Sequence, residues 1–106
     1  MIADITPVIL TYNEEANLER TLAALAWANE LIVMDSLSTD RTADIARRHP
    51  NVRLLKRKFD DFASQWTYAL EHADIHTRWV LALDADYVLA PGFEEELRIL
   101  APGEEV

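Results

Sequence analysis

The chain has 106 residues, half of them hydrophobic and 27% charged, which is enough for one buried core but not for two. Its formal charge is −9, from 10 basic against 19 acidic residues, which argues against a nucleic-acid-binding face but still admits a single nucleotide whose charge a divalent cation balances. There is no cysteine, so disulfides and thiolate metal sites are excluded, and no apolar stretch approaches the roughly 18 residues of a membrane span. No signal-peptide pattern opens the chain, and a cytoplasmic location is the default expectation.

The predicted elements alternate strand and helix. Residues 5–11, ITPVILT, form a short apolar, β-branched run expected to be a buried strand with Pro7 near its start. Asn13-Glu14-Glu15 then predicts a helix start, Asn13 as N-cap and the acids favoured by the helix dipole, with Leu18, Leu22, Leu25 and Ala26 as its apolar face. Residues 30–35 read as a second strand ending in a carboxylate. Ser38-Thr39-Asp40-Arg41-Thr42 opens a second helix that runs to about His49 and is stopped by Pro50. Residues 52–55 are a third strand, followed by the basic stretch Lys56-Arg57-Lys58, whose simplest reading is solvated surface. Residues 62–73 predict a third helix, N-capped by Asp61, with Phe62, Trp66, Ala69 and Ala73 along one stripe and Trp66 in the core. A fourth strand is expected over residues 78–83 and a last short helix from Pro91 to near Leu100, with residues 102–106 a frayed end or cut point. This order predicts one α/β domain over residues 1–106: a three-layer α/β/α arrangement with a mostly parallel sheet covered on both faces.

Asp84-Ala85-Asp86 follows the apolar run Trp79-Val80-Leu81-Ala82-Leu83. Two carboxylates where a strand runs out suit a hard cation, Mg²⁺ or Mn²⁺, that carries phosphate oxygens. Strand alternation turns both to one side if the strand persists that far. A pair of solvated turn carboxylates is the blander account of the same triplet. Gly92 and Gly103 are the only glycines, so neither G-x-G-x-x-G nor a phosphate-cradling P-loop can exist. Phosphates must then be held by a metal, by basic side chains or by helix N-termini. The candidates cluster where strands end: Thr11, Tyr12, Asn13 and Glu14, then Asp35 and Ser36, then Asp84 and Asp86. Polar groups from three strands on one rim exceed what packing requires. His72 and His76, four residues apart on a predicted helix, lack a third ligand and read as exposed.

Thr11-Tyr12-Asn13-Glu14-Glu15, the segment from Val33 to Thr42 (V-M-D-S-L-S-T-D-R-T) and Leu83-Asp84-Ala85-Asp86 together resemble the family 2 glycosyltransferases of the GT-A fold, over about residues 5–97. The forms T-Y-N-E-E-x-N-L and D-S-x-S-T-D-x-T are similar to the branch containing lipopolysaccharide core glucosyltransferases. The resemblance implies inverting transfer of a sugar from a nucleoside diphosphate donor, expected to be a UDP-sugar, with Mg²⁺ or Mn²⁺ on the diphosphate. By position, Thr11 and Tyr12 would line the base pocket with Glu14 nearby, and Asp35 would sit beneath the nucleoside. Asp84 would face the ribose or donor sugar, and Asp86 would coordinate the metal. Lys56-Arg57-Lys58 and Arg78 are further contact candidates for phosphate or sugar.

The chain departs from the family pattern in four places, one of them Trp66, where relatives often carry a small or polar residue. Ser36 stands where relatives carry a second aspartate that reads the base, which leaves the base less determined. Leu37 stands where glycine is usual, so the turn is strained if it needs a positive φ. Nothing after Asp86 resembles the carboxylate base of the acceptor-binding half, and Glu94, Glu95 and Glu96 read as a solvated helix face. The chain is therefore expected to be the donor-binding half, inactive alone, acting on a glycan or lipid-linked acceptor. Peripheral membrane association and self-association through an exposed sheet edge are compatible with it. The alternatives are a non-catalytic nucleotide-sugar-binding module, or a phosphoryl-transfer or receiver-type acidic pocket. Those last two place their acids after the first strand, where this chain has Thr11-Tyr12-Asn13.

Overall fold

The computed structural model describes residues 4–85; Asp86 and the expected helix from Pro91 lie outside the described residues. The elements are β1 (Ile5–Thr11), α1 (Leu18–Ala24), β2 (Leu31–Asp35), α2 (Thr42–Arg47), β3 (Val52–Lys56), α3 (Phe62–His72) and β4 (Trp79–Asp84). All strand pairs are parallel, in the order β3-β2-β1-β4. β1 and β2 lie in the middle of the sheet, and their unbroken apolar runs are what burial on both faces demands. Pro7 sits one residue ahead of the first β1–β2 partner pair, Val8 with Ile32.

Residue parity sorts the core into two layers. Ile5, Ile9, Leu31 and Val33 pack with Leu18 and Leu22 of α1 and Ile45 and Ala46 of α2. Val8, Ile32 and Met34 pack on the opposite face with Ala69 of α3 and Ala73 just beyond it, and Trp66 leans partly buried against this layer. The three-layer parallel architecture is thus present, with α1 and α2 on one face and α3 on the other.

Three local readings change. Asn13 does not cap a helix: it has φ 51°, and α1 begins only at Leu18, after Asn17. The side chain of Asn13 is used in a tertiary contact described below, which outweighs its capping preference. The buried positions of α3 are Gln65, Ala69 and then Ala73, at four-residue spacing, whereas Phe62 is 66% exposed. β4 is half-buried rather than enclosed: Leu81 and Leu83 face the core while Val80, Ala82 and Asp84 are exposed. The cap of α3 is as expected, the Asp61 Oδ1 accepting from the Ser64 N–H at 2.7 Å.

From β1 the chain steps outward to β2 and β3, and α3 then carries it back to β4 on the other side of β1. Strand order therefore reverses between β1 and β4. A crevice opens at the carboxyl ends of strands at such a reversal.

Candidate functional site

A cavity of about 780 Å³ occupies that crevice. β1 and its following loop supply Leu10, Thr11, Tyr12 and Glu14, the loop after β2 supplies Ser36 and Leu37, and β4 ends in it with Asp84 and Ala85. Lys58, Phe59 and Phe62, from the approach to α3, close the remaining side. Tyr12, Leu37, Phe59 and Phe62 are four of the six large apolar side chains exposed among the described residues. Exposed apolar groups collected around one polar cleft are what a ring-bearing ligand or a covering segment needs.

Two loops that carry most of these residues are stitched together. The Asn13 N–H donates to the Ser38 Oγ at 2.8 Å, and the Asn13 Oδ1 accepts from the Thr39 N–H at 2.8 Å. The Glu14 N–H donates to the Thr42 Oγ1 at 2.8 Å, and the Glu15 N–H to the Asp40 Oδ2 at 3.2 Å. Burial works to raise the Asp40 carboxyl, but donation from the Thr42 hydroxyl, the Thr42 N–H and the Glu15 N–H outweighs it and holds the group below its ordinary value. Asp40 is thus a tie between loops, more than the cap and surface residue its sequence position suggests.

Of the sequence candidates, Thr11, Tyr12, Glu14, Ser36 and Asp84 meet in the cavity. Asp35 does not line it. Its strand partner is Thr11, on the α1/α2 side, and its carboxylate is 1% exposed. Asp35 Oδ1 accepts from the Thr11 Oγ1 at 2.7 Å and from the Ser38 Oγ at 2.6 Å, and Oδ2 accepts from the Ser38 N–H at 2.9 Å. Asp35 therefore holds the ends of β1 and β2 together beneath the cavity floor. β4 ends at Asp84, and Ala85 lies in a turn. The buried Thr21 hydroxyl of α1 donates to the Ala85 carbonyl at 2.7 Å and fixes that turn.

The basic stretch is divided three ways. Lys56 is exposed at the end of β3, Arg57 joins Asp60, and Lys58 enters the cavity with no hydrogen bond or ion pair among the described residues. Lys58, itself exposed, is the member of the three that lines the cavity. Arg78 is engaged with Asp4, away from the cavity. His72 and His76 are exposed, the first stacked on Tyr68 and the second beside Asp74.

Arg57 grips Asp60 with two nitrogens at 2.9 and 3.0 Å, and this hydrogen bonding lowers the Asp60 carboxyl from 3.8 to about 2. A depressed carboxylate stabilises the fold above its unfolded pKa and loses that contribution as pH falls through the folded one. Stability is therefore expected to decline as the pH is lowered from near 4 toward 2, and Asp60→Asn should flatten this acid limb in urea titrations. An unchanged limb would contradict the pairing.

Leu37 adopts φ 59°, the left-handed conformation that its place in the turn suggested. For a residue with a Cβ this costs roughly 1–2 kcal/mol. Leu37→Gly should remove that cost against a smaller unfolded-state penalty, for a net gain of up to about 1 kcal/mol in denaturant unfolding. A loss of stability would mean that the apolar side chain contributes more than the backbone strain takes away.

Sequence reasoning did not single out Gln65, Phe59 or Thr21. The available signal for Gln65 was its four-residue spacing from two alanines, which marks a polar side chain held on the buried face of α3.

Residues 6–99 match the glycosyl transferase family 2 model. The chain belongs to glycosyltransferase family 2. It is 30% identical over 103 residues to the lipopolysaccharide core biosynthesis glycosyltransferase LpsC of Rhizobium meliloti (strain 1021), covering 92% of this chain and 37% of LpsC. It is 35% identical over 85 residues to the glycosyltransferase SunS of Bacillus subtilis (strain 168), covering 77% of this chain and 20% of SunS. Among solved structures, S. aureus TarS 1-349 superposes with a TM-score of 0.72 at 22% identity, over 90% of this chain and 31% of that one. Glucosyl-3-phosphoglycerate synthase from Mycobacterium tuberculosis, in complex with Mn²⁺, UDP and glucosyl-3-phosphoglycerate, gives 0.66 at 25% identity, over 79% and 34%. The chain thus spans between a fifth and two fifths of the length of these relatives. Family membership sets aside the phosphoryl-transfer and receiver alternatives. Among the described residues no helix is long and apolar enough to cross a membrane.

Proposed function

We propose that the cavity binds a nucleoside diphosphate sugar together with Mg²⁺ or Mn²⁺, and that residues 1–106 are the donor-binding half of an inverting glycosyltransferase. The observation that carries this reading is the convergence of three separate sequence motifs on one cavity where the strand order reverses. A donor half of this kind would act with an acceptor-binding half that supplies the carboxylate base needed to deprotonate an acceptor hydroxyl. The similarity to LpsC, a lipopolysaccharide core biosynthesis glycosyltransferase, supports a glycan or lipid-linked acceptor, and with it we propose a place in the cytoplasm at the inner face of a membrane.

The donor set fits a hard cation. Asp84 presents a carboxylate with no hydrogen-bond or ion-pair partner among the described residues, and Glu14 lines the same cavity. Mg²⁺ needs only one or two protein carboxylates when phosphates and water complete its shell. No group of three or more His, Asp and Glu able to hold a metal occurs among the described residues, and Asp86 lies outside them. Asp86 would hold the cation, and the bound cation would neutralise charge developing on the departing diphosphate. Asp84 accepts from ribose or sugar hydroxyls, Lys58 places its ammonium toward the phosphates, and Thr11 and Tyr12 border the base. Asp35, from below, keeps Thr11 and the loop carrying Ser36 in register.

Thermal unfolding tests the reading. A nucleoside diphosphate at a hundred times its dissociation constant adds about 2.7 kcal/mol to the folded state. For a domain of this size that raises the Tm by on the order of 10 °C. The shift is expected with UDP plus Mn²⁺ and not with UMP or Mn²⁺ alone. No shift with any of UDP, CDP, GDP or ADP would refute the donor site.

A further inference from the structure

Thr21 stands on the buried stripe of α1 between Leu18 and Leu22 and is 1% exposed. A hydroxyl taken out of water costs free energy unless it is hydrogen-bonded, and a valine would fill the same space without that cost. A helical threonine ordinarily turns its hydroxyl back to the carbonyl four residues earlier. Here that carbonyl, of Asn17, lies 3.3 Å from the Thr21 Oγ1, whereas the Ala85 carbonyl lies at 2.7 Å. The hydroxyl has one hydrogen, and the shorter contact directs it across the fold to the residue after β4. The other threonine hydroxyls near the site are used elsewhere: Thr11 donates to Asp35 and Thr42 to Asp40.

Ala85 is thereby held at two points. Its side chain belongs to the core layer that contains Leu18 and Leu22, and its carbonyl accepts from Thr21. Asp84, one residue earlier, lines the cavity. The Ala85 carbonyl is also part of a planar peptide group whose nitrogen is that of Asp86. A hydrogen bond that fixes this oxygen fixes the plane from which Asp86 departs.

We propose that Thr21 is a positioning residue for the cation: through the Ala85 carbonyl it orients the peptide that carries Asp86. The proposal rests on the reading of the cavity as a nucleoside diphosphate site with a metal held by Asp86. Partners one step removed from a metal ligand change metal affinity by about 10- to 100-fold when they are lost. Thr21 does not line the cavity, so its effect is expected in the demand for the cation.

The test is the Mn²⁺ concentration that gives half of the maximal UDP binding, measured calorimetrically at fixed UDP. Thr21→Val keeps the buried shape and removes the donor, and should raise that concentration by about tenfold. Thr21→Ser keeps the donor and should stay within about twofold of the unaltered chain. Ile45→Val trims the same core layer away from the turn, and should lower stability while leaving the Mn²⁺ requirement as it was. If Thr21→Val does not fold, Thr21→Ala takes its place, since it lacks the hydroxyl and gains helix propensity. An unchanged Mn²⁺ requirement in the folded hydroxyl-free variant overturns the proposal and leaves the donor site standing. So does an equal rise in Thr21→Ser or in Ile45→Val, which would trace the effect to packing. Failure of the unaltered chain to bind UDP at any Mn²⁺ concentration overturns the donor site and the proposal together.

Discussion

Asp84→Ala should weaken binding of UDP-glucose by about 10- to 100-fold, the effect of losing one or two hydrogen bonds to a charged acceptor. Asp84 ends β4 at the cavity, is exposed, and has no partner among the described residues that its loss would leave unsatisfied. The unfolding free energy should therefore stay within about 0.5 kcal/mol of the unaltered chain, as for surface sites in general. Binding and stability are expected to separate cleanly at this position. Equal affinity in the variant, measured by calorimetry, would return Asp84 to the reading of a solvated turn carboxylate.

Asp35→Ala should do the opposite. Removing a carboxylate that is 1% exposed leaves the Thr11 hydroxyl, the Ser38 hydroxyl and the Ser38 N–H without their acceptor. Each orphaned buried donor costs about 1–3 kcal/mol, although the Ser38 groups lie nearer the surface and can recover part of that from water. A loss of about 3 kcal/mol or more is expected in denaturant unfolding, a large share of the roughly 5–15 kcal/mol that holds a domain together. Asp35→Asn should fall between, because its amide can keep the hydroxyl donors on its oxygen while presenting a donor to the Ser38 N–H. A stable Asp35→Ala chain that merely loses nucleotide affinity would show that Asp35 touches the ligand instead of supporting the floor.

These two aspartates also show what could be read from the sequence. The strands, their order along the chain and the rim of polar groups were legible because β1 and β2 are continuous apolar runs that end abruptly in polar residues. The separate fates of Asp35 and Ser36 follow from strand parity: Asp35 shares a side with Val33, which packs in the α1/α2 layer, and the next residue turns toward the cavity. Asn13 misled because an asparagine before two acids satisfies the rules for a helix start, whereas its side chain is spent on the loop carrying Thr39. Leu37 was legible as a strained position only through the family resemblance, in which glycine is usual at that place. Gln65 and Thr21 were not, since each acts across the fold, on Ser36 and on Ala85, and neither contact has a sequence-local trace. Lys58 could not be told from its basic neighbours until β3 and α3 fixed which of the three faces the crevice.

The most direct test is calorimetric titration of UDP-glucose into the chain with and without Mn²⁺, alongside Asp86→Ala. The expected result is binding that depends on Mn²⁺ and is lost in the variant, with no sugar transferred. Binding that is indifferent to both Mn²⁺ and Asp86, or no binding by a chain shown to be folded, would contradict a metal-dependent nucleoside diphosphate sugar site in this cavity.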